Sequence, residues 1–344
     1  FQSFSLMPTS GRPFCFISSP KVEFLEVNIM IGYKSEPING SELSSSDHSK
    51  AGLLTGIATR ALIQPLDVLK IRFQLQEEPI GGRKSGKYRG VMQSMSLILR
   101  EEGATAFWKG HLPAQGLSGI YGLVQFACFE RISRAIGSHL NRGESDFIAG
   151  GIAGSVAITA AMPLDVIRTR LVAQAGMGGK AGASTQVYRG TLHAIVEIWR
   201  QEGAKGYFRG WIPNLAQVAP NTGLQFLFYN VIIAHIDRVM ESRDSSHALV
   251  AGAIAGTLTK TILYPLDLLR HRLQMNGFKR ETQFGKTSNY SGGLLRCVLA
   301  ILKAEGTFGL FKGLLPSQLK AATSSGLSFL FYKLFCDMLR EMKP

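Results

Sequence analysis

The chain is short of cysteine, of acid and of long apolar runs, and each shortage excludes something. Four cysteines stand among 344 residues, at Cys15, Cys128, Cys297 and Cys336. Their spacing pairs none with another, so neither a disulfide framework nor a metal site is implied. Asp and Glu number 24 against 38 Lys and Arg, for a formal net charge of +14. An excess of that sign could serve nucleic acid, but there is no basic helix interleaved with aromatics and no zinc-ligand spacing. The chain also lacks a Gly-x4-Gly-Lys-Ser/Thr loop, a metal cluster and a nucleophile–base pair, which makes an enzyme the weakest reading. No clean run of 18 apolar residues occurs, although apolar residues make up 45% of the chain. Hydropathy alone therefore gives a faint membrane signal.

What is present is repetition. Pro65-Leu-Asp67-Val-Leu-Lys70-Ile-Arg72 returns as Pro163-Leu-Asp165-Val-Ile-Arg168-Thr-Arg170 and as Pro265-Leu-Asp267-Leu-Leu-Arg270-His-Arg272. A second phrase follows each: Glu102-Gly103 to Trp108-Lys109-Gly110, Glu202-Gly203 to Phe208-Arg209-Gly210, and Glu305-Gly306 to Phe311-Lys312-Gly313. Three units of about a hundred residues predict one body with pseudo-threefold symmetry, with repeats at 49–140, 144–240 and 246–340. Residues 1–48 resemble none of them. They open on Phe1, not Met, and read as a disordered or misassigned lead-in, with Met30 a candidate start and 13–17 too short for a signal-peptide core.

Each repeat reads as helix, loop, short helix, helix. The stretches 51–63, 147–162 and 249–264 are small and apolar, and carry Gly52/Gly56, Gly150/Gly154 and Gly252/Gly256 in one register before the proline. That recurrence predicts close helix packing in a bilayer. The proline is expected to kink or end the helix. Loops at 80–87, 176–184 and 276–289 lead to short amphipathic helices near 88–101, 188–201 and 290–304, then to second spans near 112–136, 212–236 and 314–338. Lys and Arg number 6, 5 and 6 in the stretches 73–110, 171–210 and 273–313, against 2 in each connector, 134–145 and 234–247. That bias orients six spans with both termini opposite the basic loops.

The paired phrases resemble the mitochondrial carrier family over about residues 50–340. The resemblance implies an all-α membrane protein of six transmembrane helices, in three pseudo-threefold repeats with short matrix helices. It implies a monomer in the mitochondrial inner membrane, working by alternating access with both termini toward the intermembrane space. A carboxylate at Pro+2 and a cation at Pro+5 lie near one helical face. By resemblance they pair between helices as Asp67–Arg168, Asp165–Arg270 and Asp267–Lys70, closing the matrix end. Gln74 and Gln274 stand where the family braces this ring; Val172 replaces the glutamine in the second repeat, so that corner is expected to be less braced. The opposite gate keeps one acid, Glu130, beside Asn230 and Lys333, so a single Glu130–Lys333 contact is expected there. The acids Glu102, Glu202 and Glu305 are expected to be structural, or to lie where cardiolipin head groups meet helix N-termini and basic residues.

Function should lie where the copies differ. Five residues before each proline stand Arg60, Ile158 and Lys260, and Arg60 shares a stripe with Gln64 and Asp67. An intramembrane cation costs about 2.5–3.5 kcal/mol on insertion scales, so such residues usually line a wet path. Aligning the second spans on the glycine gives Leu117, Gln217 and Lys320, then Tyr121, Asn221 and Ser324, then Gln125, Gln225 and Ser328. Amides and hydroxyls on such helices also serve packing alone. With Tyr264, the set suits a solute with a multiply charged anionic end and a flat polar ring. The stretches 59–76, 260–267 and 319–326 carry the resemblance beyond the shared signature. Through them it implies thiamine pyrophosphate, exchanged for nucleotides. Another phosphorylated solute (a nucleotide or coenzyme A) and an uncoupling-type role stay open.

Overall fold

The computed structural model describes residues 44–78, 86–136, 142–174, 188–239, 245–278 and 293–342. The expectations for the start of the chain, Met30 included, and for most of the loops lie outside them. Long helices are α1 (Ser45–Leu75), α3 (His111–Ile136), α4 (Arg142–Ala173), α7 (Val218–Val239), α8 (Ser245–Gln274) and α10 (Leu314–Glu341). Short ones are α2 (Val91–Glu102), α5 (Thr191–Glu202), α6 (Trp211–Leu215) and α9 (Gly293–Glu305). α3 packs along α4, α7 along α8, and α10 returns along α1, so the pairing runs between repeats and closes a ring.

The repeated prolines do not break their helices: α1, α4 and α8 run through Pro65, Pro163 and Pro265. Proline offers no N–H to the carbonyl four residues earlier. At Pro65 that carbonyl belongs to Ala61, and the Trp108 indole N–H donates to it at 3.1 Å. At Pro163 the Trp211 indole reaches the Thr159 hydroxyl (2.9 Å), and near Pro265 the Gln318 amide reaches Thr261 Oγ1 (3.1 Å) and Thr257 O (3.2 Å). A side chain from the neighbouring span thus supports each helix near its proline.

The fourth span departs from expectation in the other direction. It divides into α6 and α7 at Ala216–Gln217. Pro220 withholds the N–H that Ala216 O would accept, and the Gln217 N–H tightens onto Asn214 O at 3.4 Å. The corresponding residues in the other copies are Ile120 and Thr323, and their helices are whole.

The glycine pairs also need correction. A Cβ placed on Gly56, Gly150 or Gly252 would meet nothing within 4 Å, and among the glycines of that motif Gly154 shows a tight neighbour, Val218 Cγ1 at 3.3 Å. Gly56 precedes Arg60 by one turn, on the stripe that faces the axis rather than a packed neighbour.

The short helices begin later than expected because Tyr88 and Tyr188 are held outside them. The Gln76 side chain bonds both the N–H (2.8 Å) and the C=O (3.0 Å) of Tyr88, and Gln174 does the same to Tyr188. On the outside of the bundle Leu62, Leu112, Leu123, Ile212, Leu227 and Leu330 are all exposed. Phe147–Ala173 is, among the described residues, the one segment long and apolar enough to cross a bilayer. In the other long helices polar stripes dilute the average.

Candidate functional site

The three Pro-x-Asp segments converge where α1, α4 and α8 meet. Lys70 Nζ lies 2.7 Å from Asp267 Oδ2. Arg270 holds Asp165 with two groups, its Nε at 2.7 Å from Oδ2 and its Nη2 on Oδ1. Arg168 Nη2 bonds Asp67 Oδ2. Asp67, Lys70, Asp165 and Arg270 are buried, so removing one partner would strand the other away from water.

Two corners of this ring carry an amide. Gln74 Nε2 donates to Asp267 Oδ2 and to the Tyr264 hydroxyl, both at 3.0 Å. Gln274 Nε2 donates to Asp165 Oδ2 at 2.6 Å, and its Oε1 accepts from the Thr169 hydroxyl at 2.6 Å. At the third corner Val172 has no group to offer, but the corner is not bare: Lys320 Nζ lies 3.0 Å from Asp67 Oδ1. The expectation of a simply weaker corner gives way to one with a different brace, supplied by a residue of the cavity set.

Tyr264 moves the other way. Its ring is 1% exposed and its hydroxyl donates to Lys312 O at 2.7 Å while accepting from Gln74. Both bonds lie at the ring of ion pairs, so its hydroxyl is engaged there. Tyr121 is likewise packed, among Leu117, Ala157, Ile158 and Ala161.

Roughly 10 Å up α1 from Asp67, seven residues at 1.5 Å each, is Arg60. Its guanidinium donates to Ala114 O at 3.2 Å, and Lys260 reaches Ser317 O at the equivalent position of the third repeat. In the second repeat Ile158 leaves this level uncharged. Gln217 sits at the α6/α7 break with its Nε2 buried and unbonded; Gln125 Oε1 is in the same condition. Asn221 is half-buried, and Ser324 and Ser328 are buried. At the far end Glu130 bonds Arg134 one turn along its own helix, and Lys333 is exposed.

Beneath the ring is a second set of links that the sequence reading passed over. Arg72 Nη1 lies 2.5 Å from Glu102 Oε1, and Lys109 Nζ 2.6 Å from Oε2. Arg170 and Arg209 hold Glu202 at 2.6 and 2.5 Å, and Arg272 and Lys312 hold Glu305. Each arginine also crosses to the next repeat through its Nε: Arg72 to Val172 O (3.3 Å), Arg170 to Gln274 O (3.1 Å) and Arg272 to Gln74 O (3.0 Å). Burial pushes the Glu102 carboxyl up, but Arg72 and Lys109 outweigh it and hold the group at about 2. Gly110, Gly210 and Gly313 have positive φ, and a Cβ there would meet Arg168 O, Arg270 O and Lys70 O at 3.1, 2.8 and 3.1 Å. The second phrase therefore clamps the carbonyl of each ring cation. The signal was available, since arginine stands at Pro+7 in all three copies.

Three like repeats of paired helices, joined at one level by a ring of interhelical ion pairs with further cations along the same helices, make the architecture of a membrane carrier. Residues 41–140, 144–238 and 242–343 match the model of the mitochondrial carrier protein family. The chain belongs to that family and is a solute transporter of the mitochondrial inner membrane. It is 40% identical over 324 residues to the mitochondrial thiamine pyrophosphate carrier of Bos taurus, covering 91% of this chain and 99% of the relative. The Homo sapiens protein of the same name is also 40% identical, over 91% and 98%. Mitochondrial thiamine pyrophosphate carrier 1 of Aspergillus niger is 33% identical, over 85% and 92%.

Proposed function

We propose that this protein carries thiamine pyrophosphate across the inner membrane by alternating access, in exchange for nucleotides. The observation that carries the reading is the break in symmetry above the ring: Arg60, Lys260 and Lys320 on α1, α8 and α10, with Ile158 at the matching level of α4. Two anionic phosphate groups need clustered cations, and Gln217 at the α6/α7 break with Asn221 on α7 suits a flat polar ring. The names of the relatives support the same solute. Six spans, with both termini toward the intermembrane space, fit the exposed apolar rim and the basic matrix segments. The carrier works as a monomer, with cardiolipin head groups at the N-termini of α2, α5 and α9. Three pairs and their braces close the matrix ring, whereas the outer gate has at most Glu130–Lys333. The empty carrier therefore rests open to the intermembrane space.

The test is uptake by proteoliposomes against a panel of thiamine pyrophosphate, nucleotides and coenzyme A. Arg60→Ala and Lys260→Ala should each lower thiamine pyrophosphate uptake about tenfold or more, since a charge-assisted hydrogen bond is worth about 1.5–3 kcal/mol. Both variants should stay folded, which an unchanged thermal midpoint checks. Near-normal uptake by both variants removes the pocket assignment. Preference for another solute in the panel redirects it.

A further inference from the structure

The three corners of the matrix ring are not equivalent, and the odd one points into the cavity. Arg270 grips its partner through Nε and Nη2, but Arg168 uses Nη2 alone on Asp67 and leaves its Nε buried without a hydrogen bond. Where Gln74 and Gln274 tie the other corners, Val172 presents hydrocarbon. Lys320 makes up the difference with an Nζ 3.0 Å from Asp67 Oδ1. Unlike the glutamines, it comes from the cavity wall. Ser324 and Ser328 stand one and two turns along the same stripe of α10, and a lysine stem is long and mobile enough to swing its charge along that stripe.

We propose that Lys320 is an exchangeable brace, shared between Asp67 and the anionic end of the solute. In the empty carrier it completes the Asp67–Arg168 corner. When the solute's phosphates enter, they compete with Asp67 for the ammonium and draw it off, so occupancy itself loosens the weakest corner. A glutamine brace is neutral and would not answer a phosphate; at this corner the brace is a cation, on the stripe where the solute arrives. The idea rests on the anion-transport reading given above and makes Lys320 a positioning residue of the cycle as well as a ligand.

Val172→Gln separates the two roles, because it supplies a fixed brace without touching the cavity. The site accepts it by symmetry: a Cβ on Gly110 would lie 3.1 Å from Val172 Cγ2, as one on Gly210 would lie 3.2 Å from Gln274 Cγ. In the full chain without solute, Lys320→Gln should lower the thermal unfolding midpoint, and adding Val172→Gln should restore most of the loss. In reconstituted exchange, Val172→Gln should keep the half-saturating thiamine pyrophosphate concentration within about twofold and cut the maximal rate about fivefold, a typical coupling factor. Lys320→Arg, which keeps the charge but offers Asp67 a planar two-nitrogen grip, should shift the maximal rate the same way. A merely structural lysine predicts no such split between rate and half-saturation. If Val172→Gln and Lys320→Arg both cycle at the wild-type maximal rate, the exchange step is wrong. If Lys320→Gln melts with the wild type, the brace is wrong. If the wild type takes up no thiamine pyrophosphate although Lys320→Gln lowers the melting point, the transport reading fails and the exchange step with it, while the brace survives.

Discussion

Asp67→Lys should stop exchange, and adding Arg168→Asp should bring part of it back. The single change puts a lysine against Arg168 and Lys320, three cations where a carboxylate bridged two. Disrupting a buried pair costs about 3–5 kcal/mol, which is about a hundredfold or more on the closed-to-open ratio of the ring. The double change restores opposite signs across α1 and α4. Recovery stays partial, because Lys320 still faces a lysine. Exchange in proteoliposomes reads the effect, together with labelling from each side of a single cysteine introduced at Ile158. A double variant no better than the single one shows that this pair does not close the ring. Preferential labelling of the empty wild type from the matrix side would count against the resting state argued above.

Arg170→Ala should be strongly destabilising. Arg170 is fully buried, with Nη1 2.6 Å and Nη2 3.1 Å from the Glu202 oxygens. Its Nη2 also reaches Asn276 O at 3.0 Å, and its guanidinium lies 5.8 Å from the centre of the Phe278 ring. Truncation strands Glu202 beside Arg209 alone and frees two carbonyls from the next repeat. The cost is about 3–5 kcal/mol, against a typical folding margin of about 5–15 kcal/mol. A fall in the thermal midpoint of roughly 10 °C follows. Arg170→Lys keeps the charge but loses the planar fork, and should fall about half as far. An alanine variant that melts with the wild type would show the link to be idle.

The repeats made the all-helical family fold and the three ion pairs readable, because Asp67, Asp165 and Asp267 stand in one register with their cations. What escaped depends on depth and on helix docking. An i, i+4 stripe says which way Tyr264 and Lys320 face but not how far along the axis a neighbour lies. Tyr264 therefore read as a cavity aromatic when its hydroxyl belongs to Gln74 and Lys312. Lys320 read as a solute ligand, and its approach to Asp67 emerges once α10 docks on α1. The break at Gln217 was within reach, since Pro220 has no counterpart at Ile120 or Thr323. The links through Arg72, Arg170 and Arg272 were obscured by being identical in every copy: attention to differences passes over what never varies.

The seam between α10 and α1 has a consequence for how the molecule is made. No loop joins those helices; side chains hold them, among them His48 Nδ1 and the Tyr332 hydroxyl at 3.0 Å. Gln74 and Asp267, 193 residues apart, meet across the same closure. While the last repeat is still being synthesised, Lys70 waits for Asp267 and Asp165 waits for Arg270. The nascent chain is then an open arc with an unmatched charge of each sign inside the membrane. An intramembrane charge costs about 2.5–3.5 kcal/mol even where insertion is assisted. Assembly therefore waits for the last repeat, and a carrier shortened by one repeat keeps much less than two thirds of the stability.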